Sequence, residues 1–122
     1  AFVAVRSDGA VLLRTRPERG LLGGMAEVPG TPWTDASPGE PLRAAPAAAD
    51  WRTVDRPIVH VFTHFRLELS VYRAAIDGGT TPPGCWWAAP EALPGEALPS
   101  VMKKVIESAI PGATKPKKRT AA

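Results

Sequence analysis

This chain predicts an α+β fold, a mixed or mostly antiparallel sheet flanked by helices, and three observations carry that prediction. Ser7-Asp8-Gly9-Ala10 separates the apolar runs Phe2–Arg6 and Val11–Thr15. An Asp-Gly pair between such runs is the strongest short hairpin signal. Farther on, Phe65, Leu67, Leu69 and Val71 alternate with Arg66, Glu68, Ser70 and Tyr72, the period of a half-buried strand. Near the end, Leu98, Val101, Met102, Val105, Ile106, Ala109 and Ile110 recur at three- and four-residue spacing, which predicts an amphipathic helix. Sheet and helix signals in one short chain place the helices beside the sheet.

The remaining elements follow in order. Arg14, Arg16 and Arg19 leave the first hairpin. Gly20 to Gly30 is a glycine-punctuated loop with a short strand. Gly23-Gly24 matches no phosphate-binding fingerprint, so these glycines serve backbone geometry. Residues 31–50 hold Pro32, Pro38, Pro41 and Pro46; one short helix fits, over Pro41 to Ala49, interrupted or kinked at Pro46. A hairpin spans 58–72, with its tip at Phe62-Thr63-His64. Asp77 to Gly84 is a loop, and Cys85 to Ala88 is a short apolar strand. In the last helix Pro99 suits the first turn, Pro111-Gly112 ends it, and Lys103, Lys104 and Glu107 occupy the wet face.

With 122 residues and 44% hydrophobic composition, the chain forms one domain with a single core. No apolar run approaches the roughly 18 residues of a membrane span, and no signal peptide is visible. The opening Ala1-Phe2-Val3-Ala4-Val5, already strand-like and without Met, reads as a fragment cut from a larger protein at a domain boundary. The single cysteine, Cys85, excludes an internal disulfide or thiolate metal cluster and reads as a buried structural thiol in a cytoplasmic protein. The net charge of +3 is uneven: Lys115, Lys117, Lys118 and Arg119 fall in the last eight residues, and the rest is nearly neutral. Two units are expected: a folded domain over 1–110 and a disordered basic tail over 111–122, solubilising or in weak contact with phosphates.

The tip at Phe62-Thr63-His64 has no Gly, Asn or Asp to ease a tight turn. A turn of poor turn formers points to what its side chains touch. The alternative is ordinary: Phe62 and Phe65 as strand residues and His64 facing solvent. His60 and His64 are spaced as a metal pair would be, but no third ligand lies nearby. Trp33, Trp51, Trp86 and Trp87 read as core or lid residues before they read as base-stacking platforms.

Gly20-Leu21-Leu22-Gly23-Gly24-Met25-Ala26-Glu27-Val28-Pro29-Gly30, the hairpin at 58–72, Trp86-Trp87 and Leu98-Pro99-Ser100 together resemble a Nudix-type domain. They are similar to the C-terminal domain of the A/G-specific adenine DNA glycosylases, the MutY family. That family's pattern runs LLxGxWEFP, then His-x-Phe-Ser/Thr-His-Phe, then ALPxxxxKV. The matches are Leu21-Leu22, Gly24, Glu27, Pro29, His60, Phe62-Thr63-His64-Phe65, Ala97-Leu98-Pro99 and Lys104-Val105; Ala26 departs from the usual aromatic. A Nudix hydrolase also carries Gly-x5-Glu-x7-Arg-Glu-x2-Glu-Glu to hold Mg²⁺. Counted from Gly30 the first Glu falls on Ala36, and the segment after it supplies Arg43 and Glu40 but no acid cluster. Hydrolysis is therefore not expected.

The resemblance implies a lesion-recognition domain for a parent enzyme that removes adenine mispaired with 8-oxoguanine in base excision repair. It implies Phe62, Thr63 and His64 as the lesion-reading loop. Arg14, Arg16, Arg19, Lys103 and Lys104 are candidate phosphate contacts. No catalytic residue, metal or cofactor is expected in this chain; an iron–sulfur cluster belongs to the family's N-terminal catalytic domain. The implied partners are duplex DNA holding the lesion pair and that catalytic domain; no membrane contact is expected, and the fragment should be a monomer in the bacterial cytoplasm, at the nucleoid. The rivals are a Nudix-type hydrolase of oxidised nucleotides and a Nudix-like protein-interaction module.

Overall fold

The computed structural model describes residues 1–34, 39–77, 79 and 81–115. Its architecture is the expected α+β, with eight strands, one α-helix and two short 3-10 turns among the described residues. The strands are β1 Phe2–Val5, β2 Val11–Thr15, β3 Ala26–Glu27, β4 Arg52–Thr53, β5 Ile58–Val61, β6 Arg66–Leu69, β7 Tyr72–Ala75 and β8 Cys85–Ala88. The helix, α1, is Ser100–Ala109.

The Asp-Gly hairpin forms as expected. Gly9 takes φ +87 and its N–H donates to Arg6 O at 2.8 Å, turning β1 back along β2. The main sheet runs β3-β2-β1-β7-β4, with β8 antiparallel to β2 from Val11↔Ala88 to Arg14↔Cys85. β1 and β7 are parallel, Phe2 opposite Tyr72 and Val5 opposite Ala75, so the sheet is mixed. Alternation sends Val3, Val11 and Leu13 into the main core with α1. Phe2 and Leu12 point to the opposite face. There Phe2 meets Trp51 edge-on at 5.2 Å and Tyr72 in a stack at 5.6 Å.

α1 buries Val101, Met102, Val105, Ile106 and Ala109, the stripe read from the sequence. Pro99 sits one residue earlier than expected, at the N-cap, where its carbonyl accepts from Met102 N at 2.9 Å and Lys103 N at 3.0 Å. Glu107 is not simply on the wet face. Its carboxylate accepts from Gly112 N, Thr114 N and Thr114 Oγ1 at 2.8–2.9 Å. Pro111–Lys115 thereby folds back as a turn, while Lys117, Lys118 and Arg119 lie outside the described residues.

Three expectations need correction. The helix over Pro41 to Ala49 is a single 3-10 turn, Pro41–Ala44. Ala45, preceding Pro46, is extended at φ −60, ψ 140, because the proline ring disfavours helical geometry in the residue before it. The second arm of the central hairpin is not one strand: the alternation runs unbroken from Phe65 to Tyr72, but β6 pairs only β5, and β7 starts at Tyr72 in the main sheet. Cys85 is half-buried rather than buried, with desolvation pushing its thiol pKa up against the lowering effect of Arg14.

Two backbone positions explain the glycine loop. A Cβ on Gly23 would lie 2.1 Å from Glu18 O, so no other residue fits without a shift of backbone. Leu22 beside it takes φ +57, a left-handed conformation costing about 1–2 kcal/mol, and it packs against the core.

Candidate nucleic-acid interface

β5 and β6 form a separate two-stranded sheet, in register from Ile58↔Leu69 to Val61↔Arg66. Its inner face, Ile58, His60, Leu67 and Leu69, packs toward α1 and the core. Its outer face carries Val59, Val61, Arg66 and Glu68. Beyond Val61 the chain turns through Thr63-His64, closed by Phe62 N donating to Phe65 O at 2.8 Å. Among the described residues only Leu22 is a non-glycine with positive φ, so neither Thr63 nor His64 takes the left-handed conformation. The turn therefore needs no Gly or Asn.

Aromatic side chains hold this turn shut. Phe62 and Phe65 stack at 4.7 Å and 26° across its base. The His60 ring meets Phe62 edge-on at 4.7 Å, and Trp33 lies 6.1 Å from Phe62. Arg16 Cζ sits 4.1 Å over Trp33, and its Nη1 donates to Glu27 Oε1 at 2.6 Å. Phe62 is thus half-buried and anchored in a cluster. Thr63 and His64 are exposed, and their side chains have no hydrogen-bond partner among the described residues. The tip therefore offers a hydroxyl, an imidazole and their backbone groups outward on a braced support.

The basic candidates divide. Arg14 Nε donates to Glu27 Oε2 at 2.8 Å and its Nη2 to Gly30 O at 3.1 Å; Arg16 is held by Glu27 and Leu21 O. Lys104 Nζ reaches His60 Nδ1 at 3.0 Å and Val59 O at 3.4 Å. Arg19 and Lys103 are exposed and make no ion pair among the described residues. Sequence reasoning passed over two neighbours of the tip. Val61 is 71% exposed, and Arg66 opposite it is exposed and also unpaired among the described residues. The alternation alone put Arg66 on the solvent face, one position from Phe65, and that was the available signal. Trp33, a core or lid residue from the sequence, packs beside Arg16 and Phe62.

The donor set does not fit a catalytic Mg²⁺. Buried Glu27 is engaged by two guanidinium groups, and Glu40 pairs with Arg43 across the 3-10 turn. Among the described residues no three His, Cys, Asp or Glu side chains converge, and Ala36 lies outside the described residues. Two hollows lie elsewhere. One of about 360 Å³ is lined by Leu12, Ala47–Ala49 and Trp87, and one of about 480 Å³ by Arg52, Asp55, Arg73 and Ala109.

The adenine DNA glycosylase of Homo sapiens is 33% identical over 111 residues, covering 79% of this chain and 20% of that protein. Its counterpart in Mus musculus is 30% identical over 110 residues, covering 79% and 21%. The chain thus spans about a fifth of the length of these relatives. Among solved structures, the C-terminal domain of mouse MUTYH, crystallised in complex with human PCNA, superposes with TM-score 0.73 at 24% identity, covering 98% of this chain and 90% of that one. The Nudix hydrolase RenU of M. smegmatis superposes with TM-score 0.52 at 22% identity, covering 90% and 84%. These likenesses bear out the Nudix-like fold. The NUDIX domain family matches residues 1–108, and the chain belongs to that family.

Proposed function

We propose that this chain is the lesion-recognition domain of an adenine DNA glycosylase, and that its hairpin tip reads 8-oxoguanine in the strand opposite the adenine to be removed. The observation that carries the reading is the braced tip, with Thr63 and His64 aimed outward and unpaired, in a chain similar to adenine DNA glycosylases. Guanine presents an acceptor at N7; 8-oxoguanine presents an N–H donor there and a new carbonyl at C8. Thr63 supplies a hydroxyl plus a backbone C=O and N–H, which match both changes. Unmodified guanine would set acceptor against acceptor, at a cost of about 1–3 kcal/mol. His64 can exchange a hydrogen bond with a base edge exposed in the major groove. Arg66, Arg19 and Lys103 supply phosphate contacts, and Val61 supplies an apolar contact beside the tip.

Adenine hydrolysis, with its iron–sulfur cluster, is assigned to a catalytic domain outside this chain, whose one cysteine cannot hold a four-cysteine cluster. The chain alone is proposed to be non-catalytic. The fit of its residues also disfavours hydrolysis of an oxidised nucleotide, because Glu27 and Glu40 are engaged by arginines and no three metal-ligating side chains converge among the described residues.

The test is an NMR titration of the chain with two short duplexes, one holding 8-oxoguanine opposite adenine and one holding guanine. Larger shifts at Phe62–Phe65 with the lesion duplex are expected. Equal shifts with both duplexes would overturn the reading.

A further inference from the structure

Lys104 lies on the exposed side of α1, yet its ammonium turns toward the hairpin. Nζ sits 3.0 Å from His60 Nδ1 and 3.4 Å from Val59 O. An ammonium carries only donors, so Nδ1 must be the acceptor. This arrangement corresponds to the tautomer with the proton on Nε2. The ring so fixed meets Phe62 edge-on at 4.7 Å, and Phe62 stacks on Phe65 at the base of the turn. A continuous line of contacts therefore runs from the middle of α1 to Thr63 and His64. Among the described residues β5 and β6 pair only with each other, so this line adds to the packing of Ile58, Leu67 and Leu69 against the core.

We propose that Lys104 and His60 are positioning residues for the lesion-reading tip: Lys104 sets the tautomer and orientation of His60, and His60 sets Phe62. This rests on the proposed reading of the tip, and it gives Lys104 a role different from a phosphate contact. A phosphate contact would raise affinity for any duplex, whereas a positioning residue raises affinity for the lesion duplex over the guanine duplex.

The test uses this chain with the variants Lys104→Met, Lys104→Arg and His60→Phe. Long-range ¹H–¹⁵N spectra should show His60 Nδ1 unprotonated and accepting in the wild type, and a mixed or reversed tautomer in K104M. Amide shifts and relaxation at Phe62–Phe65 should change in K104M and be largely restored in K104R, which keeps donors at that position. In duplex titrations, K104M should lose about tenfold of its preference for the lesion duplex, while its affinity for the guanine duplex changes less than twofold. Equal weakening toward both duplexes would make Lys104 a phosphate contact and overturn the proposal. So would an unchanged tautomer and tip in K104M. A wild type without lesion preference overturns the recognition reading instead; the ring nitrogens and tip relaxation then still decide whether Lys104 positions the turn. Melting curves show which variants fold, and H60F, which keeps a ring against Phe62 but no acceptor, decides the matter if K104M does not: its tip must lose order too.

Discussion

Glu27 is the buried charged residue among those described, and two arginines neutralise it, Arg14 at 2.8 Å and Arg16 at 2.6 Å. Replacing it with Ala strands two guanidinium groups and frees Arg16 from its place over Trp33. Glu27→Ala should lower the unfolding free energy by about 3 kcal/mol, the low end for a broken buried pair because Arg14 is partly exposed. Urea denaturation checks this, and a loss under about 1 kcal/mol, the range of surface pairs, would mean that solvent already screens the cluster. Asp8 shows the opposite setting, an exposed pair. Hydrogen bonds from Arg6 Nε and Nη2 at 2.9 and 2.6 Å, then from Ala10 N at 3.1 Å, hold its carboxyl at about 2, below the ordinary 3.8. Its contribution to stability is thus complete above pH ~4 and lost as pH falls through about 2. A ¹³C titration of the carboxyl should give a midpoint near 2, returning toward 3.8 in Arg6→Ala. At this scale the sequence was legible on the wet face of α1, where Lys103 and Lys104 are exposed as expected, and not in its ion pairs. The Glu27 cluster joins residues more than ten apart, Glu27 on β3 with Arg14 on β2 and Arg16 just past its end, and nothing in the local pattern announces it.

Among the elements, those with a long periodic signal were readable: α1 from its apolar stripe, β1 and β2 from the Asp-Gly turn, β8 from its apolar run. β3 is the short strand expected between Gly20 and Gly30, whereas β4, two residues long, leaves no periodicity to detect. The break at Ser70-Val71 was hidden because alternation continues across it while the pairing partner changes. The glycine loop is set by space: Gly23→Ala should destabilise by about 1–3 kcal/mol, the usual cost of overpacking, since its Cβ would meet Glu18 O at 2.1 Å. Thermal melting of G23A against Gly39→Ala, where a Cβ meets no atom within 4 Å, gives the comparison. At the other end of the chain, Glu107 governs the turn after α1. Burial pushes its carboxyl pKa up, but hydrogen bonds from Thr114 and Gly112 prevail and the net shift is downward. Glu107→Ala should abolish hydrogen-exchange protection at the Gly112 and Thr114 amides and leave α1 protected; retained protection would show that the turn closes without the carboxylate.

For the molecule as a whole, the two sheets differ in how they are secured. β1 is flanked by β2 and β7 and packed on both faces, whereas among the described residues β5 and β6 pair only with each other. Hydrogen exchange should therefore find β5–β6 amides opening well below the global unfolding free energy and β1 and β2 amides only with it. Uniform exchange across both sheets would contradict that division. The fold class and the hairpin tip could be read from local patterns, but the assembly of the main sheet could not, because its central pairing joins Phe2 to Tyr72. That parallel pairing also bears on how the chain is made. On a ribosome, β1 emerges roughly 70 residues before the strand that completes its second edge, a separation that slows folding. Until Tyr72–Ala75 arrives, that apolar strand has one side open to any other unpaired backbone. Nascent chains halted before residue 72 should be protease-sensitive and prone to aggregate, and those extended past β8 and α1 resistant: the first strand of the sequence is among the last to be enclosed.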